Sequence, residues 1–321
     1  MSDSGVGLIG DIGATNARFA LVVPPGSKPD AVRIYALDDY ASLAQALEAY
    51  LTDVSPTAPP VQSVLAVASP VTSDQVALTN HPWTFSIEAL REQFRLKRLL
   101  VVNDFAAAAA AIPQLGDDDC VQIGGGKPVD GAPAGVIGPG TGLGVSAFLL
   151  SADEPIMLSG EGGHVTMSPA TARESAILDL MRARFDHVSA ERVLSGPGLI
   201  NLYNAVCELD HALAASYFAE QITSPAVWQK DAHAREATSI FCSMLGTVAG
   251  NLALTLGARG GIYIAGGIVP RIADFFAESE FRARFEAKGR MRGYLESIPT
   301  YVIVRPLLGL LGAAALLGRC R

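Results

Sequence analysis

The chain has 321 residues, room for two domains, and half of them are apolar while 17% are charged, so a large buried core is available. Its 24 Lys and Arg against 32 Asp and Glu leave a net charge of −8, which argues against a nucleic-acid backbone or an anionic membrane surface as the main partner. That balance still allows phosphate binding, because backbone N–H groups do this locally.

The chain starts Met1-Ser2-Asp3-Ser4, without the basic stretch and apolar run of a signal peptide. β-like runs follow at Gly7–Ile9, Arg18–Val23 and Arg33–Ala36, then a helical pattern at Ser42–Leu51. Strands are expected at Ser63–Ala68 and Val76–Thr79, a helix at Ile87–Phe94, a strand at Leu99–Val102 and a helix at Phe105–Ile112. The run Ala106–Ala111 within that helix is simply a good helix former. Further strands fall at Ala134–Ile137 and Val145–Leu149, and helices at Ala172–Arg184, Pro197–Leu209 and Ala234–Leu256. A strand at Ile262–Ala265, a helix at Arg271–Phe276 and a strand at Tyr301–Val304 end the series. Such alternation indicates α/β layers, helices covering mixed sheets. Pro24-Pro25-Gly26 and the segment Pro56 to Pro60 read as surface loops.

Ile240 to Ala258 carries no charge over 19 positions, near the lower bound for a membrane span. Ser243, Gly246, Thr247, Gly250, Asn251 and Thr255 interrupt it, while Phe241, Leu245, Val248, Leu252 and Leu256 recur at helical spacing. That pattern suits a buried core helix. Cys120, Cys207, Cys242 and Cys320 form no CxxC pair and no metal-ligand spacing with a histidine. They are expected to be thiols in a reducing compartment.

A weak repeat organises the chain. Gly10-Asp11-Ile12-Gly13-Ala14-Thr15 and Gly138-Pro139-Gly140-Thr141-Gly142-Leu143-Gly144 each sit between two β-like runs, one in each half. Two such hairpins suggest duplicated domains facing each other across a ligand cleft.

Small residues let the first loop bring backbone N–H groups to a phosphate, Thr15 adds a hydroxyl, and Asp11 suits a hydrated Mg²⁺. An ordinary hairpin turn uses the same residues. No Gly-Lys-Ser/Thr follows, so it is not a Walker A loop, and a strand rather than a helix follows, so it is not a dinucleotide fingerprint. The second loop offers four glycines and Thr141. Ile264-Ala265-Gly266-Gly267 ends a strand before a helix and would let a flat ring approach the backbone, or merely make a tight turn.

Asn103-Asp104-Phe105 puts a carboxylate at the C-terminal end of a strand, where ligands of open α/β sheets bind. Asp104 reads as a general base for an acceptor hydroxyl, or as the N-cap of the next helix. Gly160-Glu161-Gly162-Gly163-His164 weakens any regular element; its carboxylate and imidazole suit sugar hydroxyls, or the segment is an exposed loop. Glu191 reads equally as a surface helix charge or a partner of Arg192.

Taken together these segments resemble the bacterial glucokinase family across essentially the whole chain. The matching stretches are residues 10–18, Leu-Thr-Asn-His-Pro-Trp at 78–83, 103–105, 140–145, 160–165, Ala-Glu-Arg-Val-Leu-Ser-Gly-Pro-Gly-Leu at 190–199, Gly-Asn-Leu-Ala-Leu at 250–254 and 264–270. The resemblance implies a two-domain actin-like ATPase (ribonuclease H-like) α/β fold. Residues 1–108 plus 305–321, with the final helix, would form a small domain, and 109–304 a large one. It implies ATP and Mg²⁺ as cofactors and glucose as substrate, phosphorylated on its 6-hydroxyl as the domains close. It implies Asp104 as base and Asn103, Glu161, His164 and Glu191 as glucose ligands. Gly10, Asp11, Gly13, Ala14, Thr15 and Asn16 would address Mg²⁺ and phosphates, with Asp11 reaching Mg²⁺ through water. Thr141 and Gly142 would lie on the opposing phosphate loop, and Gly266 and Gly267 under the adenosine. A cytoplasmic, glycolytic homodimer is implied as well. Ala14 stands where the family pattern has glycine, which is tolerable if φ is negative there. The cysteine-rich zinc motif of the related repressor/open-reading-frame/kinase group is absent. Other readings are a kinase for mannose, fructose or an N-acetylhexosamine, a polyphosphate- or ADP-dependent kinase, and a non-catalytic sugar-responsive regulator.

Overall fold

The computed structural model describes residues 5–23, 28–150 and 155–319, so the expectations for Met1–Ser4, the Pro24–Gly26 loop and Cys320 lie outside the described residues. The chain forms two compact units, one running to Gly116 and taking in the chain from Arg305 on, the other spanning Asp117–Val304.

The first unit contains β1 (Val6–Ile12), β2 (Asn16–Val22), β3 (Asp30–Ala36), β4 (Pro60–Val67), β5 (Gln75–Ala77), β6 (Thr84–Ser86) and β7 (Arg98–Asn103). Five of them form one sheet in the order β3-β2-β1-β4-β7, and β5 pairs with β6 apart from it. β3, β2 and β1 are antiparallel, whereas β1, β4 and β7 run parallel. The central β1 and β4 are buried on both faces, which is why they read as near-continuous apolar runs. Helices Leu43–Val54 and Ile87–Gln93 start on Ser42 and Ser86, whose hydroxyls accept from Gln45 N and Ala89 N. Helix Leu308–Arg319 packs so tightly on helix Asp104–Ala111 that a Cβ on Gly312 would strike the Ala107 carbonyl. The alanine run therefore does more than favour a helix: its small side chains permit that approach. This packing holds the whole helix in the first unit, so the boundary expected after residue 108 falls after Gly116.

The second unit contains β8 (Cys120–Ile123), β9 (Ala134–Pro139), β10 (Leu143–Leu150), β11 (Pro155–Gly160), β12 (Gly261–Ile264) and β13 (Thr300–Ile303). Their order is β11-β10-β9-β12-β13-β8. The first three are antiparallel, β9, β12 and β13 parallel, and β8 closes the far edge antiparallel. Apart from β8 this repeats the first sheet, so the two hairpin loops occupy equivalent places.

Helix Ala232–Leu256 is the one described helix long and apolar enough to cross a membrane by length and composition. It is instead a core element here: Phe241, Met244, Leu245 and Ala249 are fully buried among the sheet and its neighbouring helices. The small residues that interrupt it have a use, since a Cβ on Gly250 would lie 2.6 Å from the Phe285 carbonyl of helix Phe281–Glu286. Arg284 of that helix reaches Glu174, which is 3% exposed, at 2.7 Å, and also donates to Thr247 at 2.9 Å. Burial pushes the Cys120 thiol up to about 11 and the Cys242 thiol up to about 12, so both stay protonated.

Candidate active site

In the first unit the expected residues collect at the carboxyl ends of the parallel strands. β1 ends at Ile12 and β2 begins at Asn16, leaving Gly13, Ala14 and Thr15 as the turn, closed by Gly13 N donating to Asn16 O at 3.0 Å. Ala14 is not among the positive-φ residues, so a side chain there brings no backbone strain. Asn16 Nδ2 donates to Thr15 Oγ1 at 3.0 Å, which sets the direction of that hydroxyl. Asp11, one place before the end of β1, is 19% exposed and has Arg18 Nη1 at 3.8 Å. Burial pushes its carboxyl above the ordinary range while Arg18 pulls it back. Gly309 makes room for it, since a Cβ there would come within 2.6 Å of the Asp11 carboxyl carbon.

β7 delivers Asn103 and Asp104 to the same edge. The helix is capped by Asn103, whose Oδ1 accepts from Phe105 N at 2.9 Å and Ala106 N at 3.3 Å. The capping reading of Asp104 is thereby corrected: it is the first helical residue, and its Oδ1 accepts from Phe105 N at 2.9 Å. Asn103 Nδ2 points to Ser69 O at 3.4 Å. Ser69 lies two residues beyond β4 and is fixed by Thr79, which donates its N–H to Ser69 Oγ at 2.7 Å. The neighbouring Trp83 of the 78–83 segment is buried and bonded to Tyr40 O at 3.1 Å, so that segment is a packed brace.

In the second unit Glu161 and His164 flank a turn that leaves β11, with His164 N donating to Glu161 O at 3.0 Å. Both side chains are more than half exposed, and His164 Nε2 stands 4.0 Å from Glu161 Oε2. The glycines between them are required by packing: a Cβ on Gly163 would strike the Leu143 carbonyl, and one on Gly162 would lie 2.9 Å from Val145 Cγ1. Glu191 ties this turn to the β9–β10 hairpin. Its N–H donates to Gly163 O at 2.8 Å, and its Oε2 accepts from Leu143 N at 2.9 Å. It is neither a helix surface charge nor a partner of Arg192, which lies over the Phe185 ring at 4.4 Å. Glu161, His164, Glu191 and Gly142 thus share one neighbourhood. No group of three or more His, Cys, Asp or Glu among the described residues is placed to hold a metal.

The second hairpin turn is closed by Gly140 N donating to Gly142 O at 2.8 Å, and Gly196 N donates to Gly140 O at 2.8 Å. Gly196 opens helix Gly196–Leu209, capped by Ser195. A cavity of about 490 Å³ lies beside this junction, bounded by Thr141, Pro197, Phe218, Thr223, Gly267 and Arg271 among others. Gly266 has φ +83°, and a Cβ there would strike the Pro139 carbonyl, so it seats the turn after β12 on the hairpin's base.

Two expected residues play other parts. Gly10 is buried inside β1, where a Cβ would meet Leu65 Cδ2 at 2.7 Å, so it serves packing rather than the loop. Gly266 is absent from the cavity wall that Gly267 helps form. Ser69, Phe218, Glu220, Thr223 and Arg271 were not singled out from sequence, because no local pattern marks a residue placed by strand pairing or by a short helix.

The glucokinase family model matches residues 8–319. The glucokinase of Aromatoleum aromaticum is 50% identical over 316 residues, 98% of this chain and 96% of that one. The glucokinase of Paramagnetospirillum magneticum is 49% identical over 96% of both chains. Among solved structures, a glucokinase from an Antarctic psychrotroph superposes with TM-score 0.89 at 37% identity, covering 98% of this chain and 99% of that one. A glucokinase from Streptomyces griseus of the repressor/open-reading-frame/kinase (ROK) family, crystallised with glucose and AMPPNP, shares the fold at TM-score 0.66 and 18% identity, over 98% of this chain and all of the other. With the repeated sheets, both glycine hairpins and a matching family model over nearly its full length, the chain belongs to the glucokinase family.

Proposed function

We propose that the protein is an ATP-dependent glucokinase that moves the γ-phosphoryl group to the 6-hydroxyl of glucose, with Asp104 as the general base. The observation that carries the assignment is the position of Asp104 at the carboxyl end of β7, with the capping of its helix done by Asn103. Phosphoryl transfer is mostly positioning and charge stabilisation. Asp104 accepts the proton of the attacking hydroxyl while its own Oδ1 bond to Phe105 N holds the carboxylate in orientation. Asn103, through its amide nitrogen, and Glu161, His164 and Glu191 bind glucose hydroxyls, which both donate and accept. The turn amides at Gly13–Thr15 and at Thr141–Gly142 bind donor phosphates.

A Mg²⁺ ion fits Asp11 in one form, a single carboxylate shared with nucleotide phosphates and water. The buried carboxylate, in a recess that a Cβ on Gly309 would fill, supports that form. Mg²⁺ bound there supplies charge neutralisation for the phosphates. A nucleotide donor, rather than bare polyphosphate, is supported by the 490 Å³ cavity beside the second hairpin, a size ordinary for a small-molecule site. Kinship to bacterial glucokinases supports a cytoplasmic enzyme of glycolysis. The edge strand β11, with Ile156 and Leu158 nearly half exposed, supports a homodimer.

The test is glucose 6-phosphate formation from ATP, with and without Mg²⁺, in wild type and Asp104→Ala. Loss of at least about 10²-fold in turnover with an unchanged melting temperature is expected. Near-normal turnover in the folded variant rejects Asp104 as base.

A further inference from the structure

The cavity beside the second hairpin has a wall that phosphate binding does not require. Gly140 is bonded through its carbonyl to Gly196 N, and a Cβ on Gly196 would sit 3.7 Å from the Ala219 Cβ. Phe218, the residue before Ala219, is thereby brought next to the phosphate hairpin. Its side chain is 73% exposed and lines the cavity. Among the described residues its ring makes no aromatic or cation contact. Its backbone, by contrast, is held firmly: Phe218 N donates to Gln221 Oε1 at 2.8 Å, and Phe218 O accepts from Gln221 N and Ile222 N. A large ring on a fixed backbone, exposed in a cavity, is a preorganised stacking face. The charged groups lining it, Glu220 and Arg271, are paired with each other at 3.6 Å, and the Thr223 hydroxyl donates to Ala219 O at 3.2 Å. None of Glu161, His164 and Glu191 lines this cavity, so the sugar acceptor is not its occupant.

From this we infer that Phe218 stacks on the base of the nucleotide donor and sets the affinity for a nucleoside triphosphate over bare polyphosphate. The inference rests on the kinase reading above and adds to it the residue that selects the donor class. Every base has a flat face, so the contact is tolerant of base identity. Recognition by edge hydrogen bonds would instead need polar groups aimed inward.

The experiment compares steady-state kinetics of wild type, Phe218→Ala, Phe218→Leu and Phe218→Trp. The KM for ATP should rise about 5- to 150-fold in Phe218→Ala, the range carried by one base–aromatic stack. kcat and the KM for glucose should stay at wild-type values. Phe218→Leu keeps apolar bulk without a ring face and should resemble Phe218→Ala, whereas Phe218→Trp should restore the KM. A Phe218→Leu enzyme with wild-type KM for ATP overturns the inference, as does a Phe218→Ala loss confined to kcat. Wild type that phosphorylates glucose from polyphosphate and not from ATP overturns the inference and the donor assignment together. ATP-dependent wild type with an unaffected Phe218→Ala overturns the inference alone.

Discussion

Replacing Gly142 by alanine tests whether Glu191 couples the β9–β10 hairpin, proposed to bind phosphate, to the Glu161–His164 turn, proposed to bind the sugar. Gly142 is not among the positive-φ glycines, so its backbone accepts a side chain without strain. The added Cβ would stand 2.5 Å from Glu191 Oε2 and 3.3 Å from the carboxyl carbon. To reach an ordinary contact of 3.4 Å that oxygen must retreat by about 0.9 Å. It now accepts from Leu143 N at 2.9 Å, and a shift of that size breaks the bond in most directions. A lost bond to a charged acceptor is worth about 1.5–3 kcal/mol, or roughly ten- to a hundredfold if it appears in binding. Because the end of a side chain moves rather than backbone, the stability cost should be at the low end of that range. The expected result is a KM for glucose at least about tenfold higher, with a melting temperature within a few degrees of wild type. Gly125→Ala is the control: nothing lies within 4 Å of its Cβ position, and stability should hold or rise by about 0.4–1 kcal/mol. Gly142→Ala with wild-type KM for glucose would refute the coupling.

Two further predictions concern buried charge. Asp11 is an acid whose folded pKa is raised, so its ionisation opposes folding above that pKa and costs nothing below the unfolded value near 3.8. Asp11→Asn should therefore melt above wild type at pH 7, with the gap closing as pH falls toward 3.8; a gap independent of pH would contradict the burial argument. Glu174→Ala leaves Arg284, whose side chain is 15% exposed, without its carboxylate, and should cost about 3–5 kcal/mol in urea denaturation. A loss below about 1 kcal/mol would place that pair among weak surface contacts.

Much of this architecture was legible because tight geometry demands particular residues. Gly266 marks a turn whose close approach to the Pro139 carbonyl excludes a Cβ, and Ser42, Ser86 and Asp231 mark helix starts by their side-chain oxygens. The strands β8 and β11 were not anticipated, because short edge strands take their identity from partners distant in sequence. Helices Phe281–Glu286 and Arg292–Glu296 lack side-chain caps and are short, so local pattern is silent about them. At the site, Asn103 and Asp104 are equally good caps on paper. Only the extended backbone of Asn103, φ −62° and ψ 146°, decides which one caps. Glu191 was ambiguous for a related reason: its partners, Leu143 N and Gly163 O, lie 48 and 28 positions away, and no spacing rule reaches that far.

The repeat explains why two hairpins of little mutual likeness could be read as counterparts. What recurs between the sheets is a backbone arrangement: an antiparallel trio ending in β1 or β9, then two strands parallel to it. Such a scaffold constrains the turn after its central strand to small residues and leaves the next edges free to differ. After β4 the first unit has Ser69, whose hydroxyl is anchored to Thr79 and whose backbone carbonyl faces Asn103 Nδ2. After the equivalent β12 the second unit has Gly266 and Gly267, a positive-φ turn opening on a cavity. The equivalent strands β7 and β13 lead, respectively, into Asn103–Asp104 and into Val304. One unit therefore has its distinctive residues beyond its third parallel strand and the other beyond its second. Under the proposed function, a side chain that pairs with a reacting hydroxyl is oriented by a helix start, and a nucleoside meets open backbone. Each edge has the residue types that the task proposed for it requires.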